Sequence, residues 1–323
     1  MHIPNGFVNA PVALSTGLLA AAGLGFAFWQ TRRTLPPHRV PLMGLSAAFV
    51  FAAQMVNFPV IGGTSGHLLG GVLVGALLGP SAAAIVLACV LIMQCLLFAD
   101  GGITALGANI FNMAILGAVA GTAIYNAIRR MVPGTHGRFT GALFAGWFST
   151  VLASAGCAGE VSLSGHAHAT VMFPAMLGVH MLIGIGEGLI TALVLESLAR
   201  TNPELLADQL EPQGRMPATL VWGFLIALGI AAFVSPFACP WPDGLEAGAG
   251  WLGFEQAAIA PVIPALIPDY RLPHIASPHL ATALAGLVGT AIMFASAWGL
   301  AKLLSSPQPG QGAGRLDRSN ARL

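Results

Sequence analysis

Charge is scarce in this sequence. Of its 323 residues, only 8% are Asp, Glu, Lys or Arg, whereas 56% are hydrophobic. A soluble globule of this length could not cover its surface with so few polar side chains, so the sequence predicts an integral membrane protein. A net charge of +1 gives no basic footprint for nucleic acid, which we set aside as a partner.

Catalytic and nucleotide-binding motifs are also lacking. The single lysine, Lys302, follows Ala301 within an apolar run, so no GxxxxGK[ST] phosphate-binding loop exists. No HExxH sequence occurs, which removes support for a zinc intramembrane protease. We therefore expect a protein that is not an enzyme and does not itself bind ATP in this way.

The four cysteines form no CxxC pair and offer no thiolate metal cluster. Cys89 and Cys95 lie within one apolar run, where inert packing is expected. Cys157 and Cys239 fall near the ends of predicted helices outside the cytoplasm, so a disulfide between them is conceivable.

Long apolar runs indicate an all-α membrane protein. Runs of spanning length occur at about 12–30, 40–58, 81–98, 105–128, 139–160, 170–199, 217–236 and 279–304. A ninth run, 66–79, would rise only ~21 Å as a helix, less than a hydrocarbon core of ~30 Å. It is either a short ninth span or a re-entrant segment.

Basic residues favour the ninth span. Arg32, Arg33 and Arg39 follow the first run, which places the N-terminus outside by the positive-inside rule. If run 66–79 crosses, twelve of the thirteen basic residues lie in the cytoplasm and only Arg271 lies outside. The other cytoplasmic ones are Arg129, Arg130, Arg138, Arg200, Arg215, Lys302, Arg315, Arg318 and Arg322. We predict nine spans, N-terminus out and C-terminus in, in the cell membrane.

The order of the runs divides the chain into two parts. Residues 1–200 hold seven predicted helices, and residues 201–216 form a polar cytoplasmic linker. Residues 217–304 hold two helices around an outer loop at about 237–278, and the tail 305–323 is expected to be disordered. The N-terminus lacks the positive region of a signal peptide, and Met1 precedes a bulky histidine, so we expect Met1 to be retained.

The first two residues form a potential chelator. The Met1 amine, the His2 amide nitrogen and the His2 imidazole Nδ1 can close a five-membered and a six-membered ring around one metal ion. Three nitrogens in a plane favour Ni²⁺ or Cu²⁺, with Co²⁺ also possible. An N-terminal histidine without such a role is the commoner case, so this pattern alone is weak.

A fourth nitrogen is available from His67, which the sequence places one residue into the short helix near the outer face. Imidazole is the commonest protein ligand for these ions, although a histidine at a membrane interface can have no ligand. Gly71, Gly75 and Gly79 continue its face at steps of four and allow close approach of another segment.

Several polar residues lie within predicted spans. Asn109 and Asn112 are spaced i, i+3, so they could hold a buried loop or bond two helices together. His180 and Glu187 lie two turns apart on one face, and ionisable groups at membrane depth are functional candidates. They could support the metal site from outside the ligand set or act as a conformational latch.

Two outer-loop histidines, His166 and His168 in "SGHAHAT", are a further pair. They could gather metal, although solvated loop histidines are the commoner case. The sequence leaves both interpretations open.

Taken together, "MHIPNGF", "NFPVIGGTSGH", "LLGP" and "FADGGITALGANIFNMAILG" closely resemble the CbiM/NikM family, the substrate-capture components of energy-coupling factor transporters for cobalt and nickel. "HMLIGIGEGLI" extends the resemblance to about residue 200. It implies a seven-helix bundle into which the N-terminal loop inserts. It also implies that Met1, His2 and His67 hold the metal.

The second part resembles the small NikN/CbiN-type subunit, fused here, through "SPFACPWPDGLE". This implies an accessory role in metal loading. Asp243 and Glu246 could attract cations, although a turn at Pro242 to Gly244 would also explain the motif. Asn5 stands where an aspartate is expected in many relatives, so loop anchoring or selectivity could differ.

The resemblance implies capture of Co²⁺ or Ni²⁺ from outside, as cargo rather than as a cofactor. A transmembrane coupling subunit (CbiQ/NikQ-like) and two cytosolic ATPases (CbiO/NikO-like) would then drive import. Small residues of the first helix, Gly17, Ala21 and Gly25, could dock the coupling protein or simply pack within the bundle.

Two alternatives belong to other classes. A metal-gated channel or an ion-coupled secondary carrier would act without an ATPase, but it requires a polar file across several spans, and Glu187 is nearly alone at depth. A membrane metallohydrolase needs an open coordination position and a general base, which a four-nitrogen square lacks. Planar nitrogen coordination suits Ni²⁺ somewhat better, and the choice between nickel and cobalt stays open.

Overall fold

A computed structural model describes residues 1–206 and 216–305. Residues 306–323 of the predicted tail and most of the predicted linker, including Asp208, Glu211 and Arg215, lie outside the described residues. The fold is mostly helical, as predicted.

The first part is built from eight α-helices and one small hairpin. Its helices are α1 (Ala10–Thr34), α2 (Val40–Gln54), α3 (Gly71–Leu78), α4 (Pro80–Phe98), α5 (Leu106–Asn109), α6 (Gly121–Met131), α7 (Gly134–Leu163) and α8 (Ala169–Thr201). A π-helical segment, Ile110–Ala120, joins α5 to α6. The hairpin pairs β1 (Phe58–Val60) antiparallel with β2 (Thr64–Gly66).

The second part packs along α2 and over the N-terminal loop. It contains α9 (Met216–Gly229), α10 (Gly244–Leu252) and α11 (Pro278–Leu304), and α9 continues through a π turn, Ile230–Val234, to Phe237. Gly44 of α2 lets α11 approach closely, since a Cβ there would lie 2.9 Å from the Phe294 carbonyl oxygen. The two parts therefore share one interior.

Seven helices within the described residues are long and apolar enough to cross a membrane, counting Leu106–Met131 as one. The two remaining predicted runs give shorter helices, α2 with 15 residues and α3 with 8.

The predicted helix over 66–79 is wrong in its first third. Gly66 ends strand β2, and the helix begins only at Gly71. Gly70 has φ +78°, a left-handed conformation that a helix interior does not permit. His67 therefore lies in non-helical chain before α3 instead of on a helix face.

Glycines set the closest helix contacts. The stripe on α3 works as predicted at two positions, since Cβ atoms would press Gly71 against Ala118 and Gly75 against Thr122. Gly79 lies beyond the helix with open space around it. Between α7 and α8, a Cβ on Gly188 would overlap the carbonyl oxygen of Leu143, so these helices meet backbone to backbone.

Cysteines make no cross-link in the described structure. Cys157 is a buried free thiol, and Cys239 is a half-buried free thiol. The disulfide that the sequence allowed is absent, and the Cys239 N–H instead donates to the Asn57 carbonyl at 2.8 Å.

We predict that Gly188→Ala destabilises the protein by about 1–3 kcal/mol, because the added methyl group meets rigid backbone. Gly178→Ala on the same helix is the matched control, since nothing lies within 4 Å of its Cβ position. Thermal unfolding in detergent measures both. Equal melting temperatures for the two variants would contradict the close α7–α8 contact.

Candidate metal centre

The N-terminal loop is inserted among the helices. Met1 is 4% exposed and Ile3 is fully buried. The Ile3 N–H donates to Asn109 Oδ1 at 2.8 Å, and Asn109 Nδ2 donates back to the Ile3 carbonyl at 3.1 Å. Asn109 thus holds a buried loop, one of the two roles that the sequence left open.

Asn5 anchors the same loop further along. Its Oδ1 accepts from the Thr104 N–H at 3.1 Å and from the Thr104 hydroxyl at 2.9 Å. Its backbone carbonyl accepts from the Ile259 N–H at 2.9 Å. An aspartate could accept the same two bonds, so an asparagine at this position gives the same anchoring without a charge.

The Met1 amine is paired with a residue from the second part. It lies 2.5 Å from Asp243 Oδ2 and 3.5 Å from His67 Nε2. Burial opposes the charged amine, yet the adjacent carboxylate outweighs burial and raises the pKa of the amine. Burial also opposes the charged carboxylate, yet the amine holds the pKa of Asp243 well below its usual range.

His67 presents one nitrogen to the amine. Its Nδ1 lies 3.0 Å from the Leu68 carbonyl oxygen, which can only accept, so Nδ1 carries the hydrogen. Nε2 is then the free nitrogen, and it faces Met1. The His2 ring stacks on the His67 ring with centroids 5.3 Å apart. Met1, His2 and His67 are therefore brought together.

His2 is held through both ring nitrogens. Nδ1 lies 3.2 Å from Asp100 Oδ1, and Nε2 lies 3.1 Å from Gln94 Oε1. The Tyr270 hydroxyl donates to the other oxygen of Asp100 at 2.6 Å. Burial lowers the pKa of His2, although Asp100 opposes this, and a neutral imidazole is the form that binds metal.

Our sequence interpretation missed Gln94, Asp100 and Tyr270. A lone glutamine in the apolar run 81–98 was a usable signal for Gln94. Nothing local indicated Tyr270, because it reaches the site from a loop far along the chain.

Residues 242–246, with the sequence PDGLE, span the start of helix α10, and their hydrogen bonds account for the acidic residues of this motif. Asp243 Oδ1 caps α10 by accepting from Leu245 N at 2.8 Å and Glu246 N at 2.9 Å. The Glu246 carboxylate accepts from Asp243 N at 3.0 Å, which completes a capping box. Asp243 therefore both caps a helix and binds the Met1 amine, while Glu246 supports the cap.

Glu187 and His180 lie beside the site, and His180 lines the same small cavity as Met1. The Glu187 carboxylate accepts from Leu69 N at 2.5 Å and Gly70 N at 3.0 Å, the unpaired donors before α3. His180 Nδ1 faces the Met176 carbonyl at 2.7 Å, and the ring packs against Gly244. Glu187 thus holds the segment that follows His67, and His180 packs against the residue that follows Asp243.

The other polar candidates, Asn112, His166 and His168, lie in three different surroundings. Asn112 does not hold the loop, since its Nδ2 donates to Glu160 Oε2 on α7 at 2.6 Å. His166 packs against aromatic rings, with its centroid 5.8 Å from that of Phe254. His168 is exposed at the start of α8, so these two histidines differ in environment.

The candidate ligand set depends on main-chain nitrogen. Within the described residues, no three His, Cys, Asp or Glu side chains converge to hold a metal ion. The Met1 amine and the His2 amide nitrogen, with two imidazoles, supply four nitrogens instead. A small cavity of about 10 Å³ lies against Met1, His67 and Asp243, which is room for one water-sized particle.

We predict that Asn109→Leu releases the N-terminal loop, because it leaves the Ile3 N–H buried without a partner at a cost of ~1–3 kcal/mol. Hydrogen–deuterium exchange of the N-terminal peptide should accelerate about tenfold or more, since 1.4 kcal/mol is a factor of ten. Asn126→Leu, at a half-buried position on α6, is the control. Unchanged exchange in Asn109→Leu would contradict this anchoring role.

Comparison with known proteins gives two family matches. Residues 2–205 match the cobalt uptake substrate-specific transmembrane region (CbiM), and residues 218–306 match the PDGLE domain. A putative fused nickel transport protein, NikMN, of Archaeoglobus fulgidus is 38% identical over 94% of this chain and 98% of its own length. The fused nickel transport protein NikMN of Rhodobacter capsulatus is 31% identical over 91% of this chain and 95% of its own.

Further relatives cover the first part alone. A putative cobalt transport protein, CbiM, of Methanococcus voltae is 30% identical over 64% of this chain and 94% of its own length. A crystal structure of a transition metal transporter is 32% identical, with a TM-score of 0.57, over 63% of this chain and 94% of that one.

Proposed function

Because this chain belongs to the CbiM family of cobalt uptake transmembrane proteins and carries a fused PDGLE domain, we propose that it captures Ni²⁺ or Co²⁺ for an energy-coupling factor importer. It is a multi-pass membrane protein and a transport component rather than an enzyme. The observation that carries the proposal is the burial of the Met1 amine beside His67 and His2.

The proposed ligands are four nitrogens: the Met1 amine, the His2 amide, His2 Nδ1 and His67 Nε2. Support comes from the free nitrogen that His67 directs at the amine. A planar set of this kind suits Ni²⁺ well and also admits Co²⁺. The metal is cargo, bound from the outer side and released inward.

The proposed topology has nine spans with the N-terminus outside. Arg39 donates to the carbonyl of Leu77 at the C-terminal end of α3, at 3.1 Å, whereas His67 lies beside Met1. Since Arg39 follows α1 and Met1 precedes it, the segment 67–78 runs from one end of α1 to the other. This geometry supports a ninth crossing made partly by non-helical chain.

The energy for import is proposed to come from partners, a CbiQ/NikQ-like coupling subunit and two CbiO/NikO-like ATPases. The absence of a Walker A motif from the sequence agrees with this division of labour. On α1, Gly17 packs against Gly107, whereas Ala21 and Gly25 are exposed. Docking of a coupling subunit to the small-residue face would thus use Ala21 and Gly25.

The rival carrier or channel finds little support in the described residues. Glu187, the ionisable residue at depth on which it would depend, has both carboxylate oxygens bonded to backbone N–H groups. A carboxylate used in this way holds the chain before α3 and does not line an open file of polar groups.

We predict that His67→Ala lowers the affinity for Ni²⁺ and Co²⁺ by more than about 100-fold, because one of four ligands is lost. His2→Ala should do at least the same, since it removes the other imidazole. His168→Ala, an exposed histidine on the same outer side, is the matched control. Equilibrium titration of purified protein decides the matter, and wild-type affinity in His67→Ala would refute the ligand set.

We also predict that uptake of radioactive nickel or cobalt in cells needs this chain together with the coupling subunit and an active ATPase. Inactivation of that ATPase should reduce uptake to the level of cells without the chain. Full uptake by the chain alone would instead support the channel or carrier.

A further inference from the structure

Two buried glutamines link His2 by hydrogen bonds to the backbone of Leu69, in the segment that precedes α3. Gln54, at the end of α2, is 5% exposed, and Gln94, within α4, is fully buried. Gln54 Nε2 donates to the Leu69 carbonyl at 2.9 Å, and Gln94 Nε2 donates to Gln54 Oε1 at 2.8 Å. Gln94 Oε1 then lies 3.1 Å from His2 Nε2. Glutamines in apolar helices are costly unless bonded, so this chain of contacts needs an explanation.

The Leu69 carbonyl sets which group donates and which accepts in each of these hydrogen bonds. The Leu69 carbonyl has no hydrogen to give, so the Gln54 amide must turn its NH₂ group toward it. The Gln54 oxygen then faces Gln94 and requires its NH₂ group. The Gln94 oxygen is left facing His2, where it can only accept.

We propose that Gln94, oriented by Gln54, is a positioning residue that keeps the hydrogen of His2 on Nε2 and so leaves Nδ1 free for the metal. This inference rests on the proposed function. Only the Nδ1 nitrogen can close the six-membered ring with the His2 amide nitrogen, so the tautomer decides whether the chelate can form.

Asp100 is the competing partner of His2. It lies 3.2 Å from Nδ1, the nitrogen that the metal would take. Contact with Asp100 and coordination by Nδ1 exclude each other, whereas contact with Gln94 and coordination by Nδ1 are compatible. Gln94 is therefore the partner that persists in the loaded site.

The hydrogen-bonded series from Leu69 through Gln54 and Gln94 to His2, which we call the relay, also connects the two histidines to one segment of backbone. Leu69 lies two residues after His67, and its N–H is held by Glu187. The carbonyl that fixes Gln54 thus belongs to the segment that positions His67. Both imidazoles are set against the same short stretch of chain.

A double-mutant cycle with nickel tests the proposal. Gln94→Met removes the acceptor while keeping the volume, and we expect nickel affinity to fall about 10–100-fold, the usual cost of losing an outer partner of a ligand histidine. Gln54→Met should cost less, because Gln94 can still adopt the right orientation part of the time. The double variant should lose clearly less affinity than the two single losses combined, since Gln54 acts on His2 through Gln94.

Controls separate positioning from packing. Gln30→Met, at the far end of α1, should bind nickel as wild type does, and thermal unfolding should be recorded for every variant. Gln94→Glu keeps an acceptor facing His2 but loses the NH₂ group that the Gln54 oxygen requires, so we expect it to recover only part of the affinity that Gln94→Met loses. In nickel-loaded protein, which is diamagnetic when planar, the His2 Nε2 proton should exchange slowly in wild type and rapidly in Gln94→Met.

The outcomes are distinct. If wild type binds neither nickel nor cobalt, the proposed function fails. If wild type binds nickel through His2 and His67 while Gln94→Met keeps wild-type affinity, the function stands and the relay is refuted. Additive losses in the cycle, or equal loss in Gln94→Glu and Gln94→Met, would also overturn it.

Discussion

The ion pair between the Met1 amine and Asp243 is the contact on which the arrangement of the site depends. A charged amine inside a membrane protein is costly unless a partner lies against it. Asp243 can serve because its Oδ1 already caps α10, which leaves Oδ2 for the amine at 2.5 Å. The first residue of the chain is thereby fixed by a residue from its last third.

Two further side chains fix the parts of the chain that lie around this ion pair. Asn109 clamps both backbone groups of Ile3 and so prevents the loop from withdrawing. Glu187 satisfies the free N–H groups before α3 and so fixes the segment that carries His67. The Met1 amine faces the Asp243 carboxylate, and His2 Nδ1 faces the Asp100 carboxylate. A divalent ion would exchange these contacts for coordination, because ligand nitrogens bind metal without their protons.

The sequence predicted the long helices well, because hydrophobicity alone marks chain that can leave water. The helix prediction failed over residues 66–70. There Gly70 adopts a left-handed conformation, and two backbone N–H groups bond to the Glu187 carboxylate of α8 instead of within a helix. Periodicity contains neither kind of information. Met1, His2 and His67 could be chosen from their chemistry and a family resemblance. Gln54, Asp100 and Tyr270 could not, since only the folded chain connects them to His2. Asp100 contacts His2 directly, whereas Gln54 acts through Gln94 and Tyr270 through Asp100.

The central claim is that four nitrogens from Met1, His2 and His67 hold the cargo ion. X-ray absorption spectroscopy of the nickel-loaded full-length protein tests it most directly. The account predicts a four-coordinate planar site with nitrogen scatterers only, and with the outer-shell scattering of two imidazoles. A six-coordinate shell of oxygen atoms, or a sulfur scatterer at bonding distance, would contradict it.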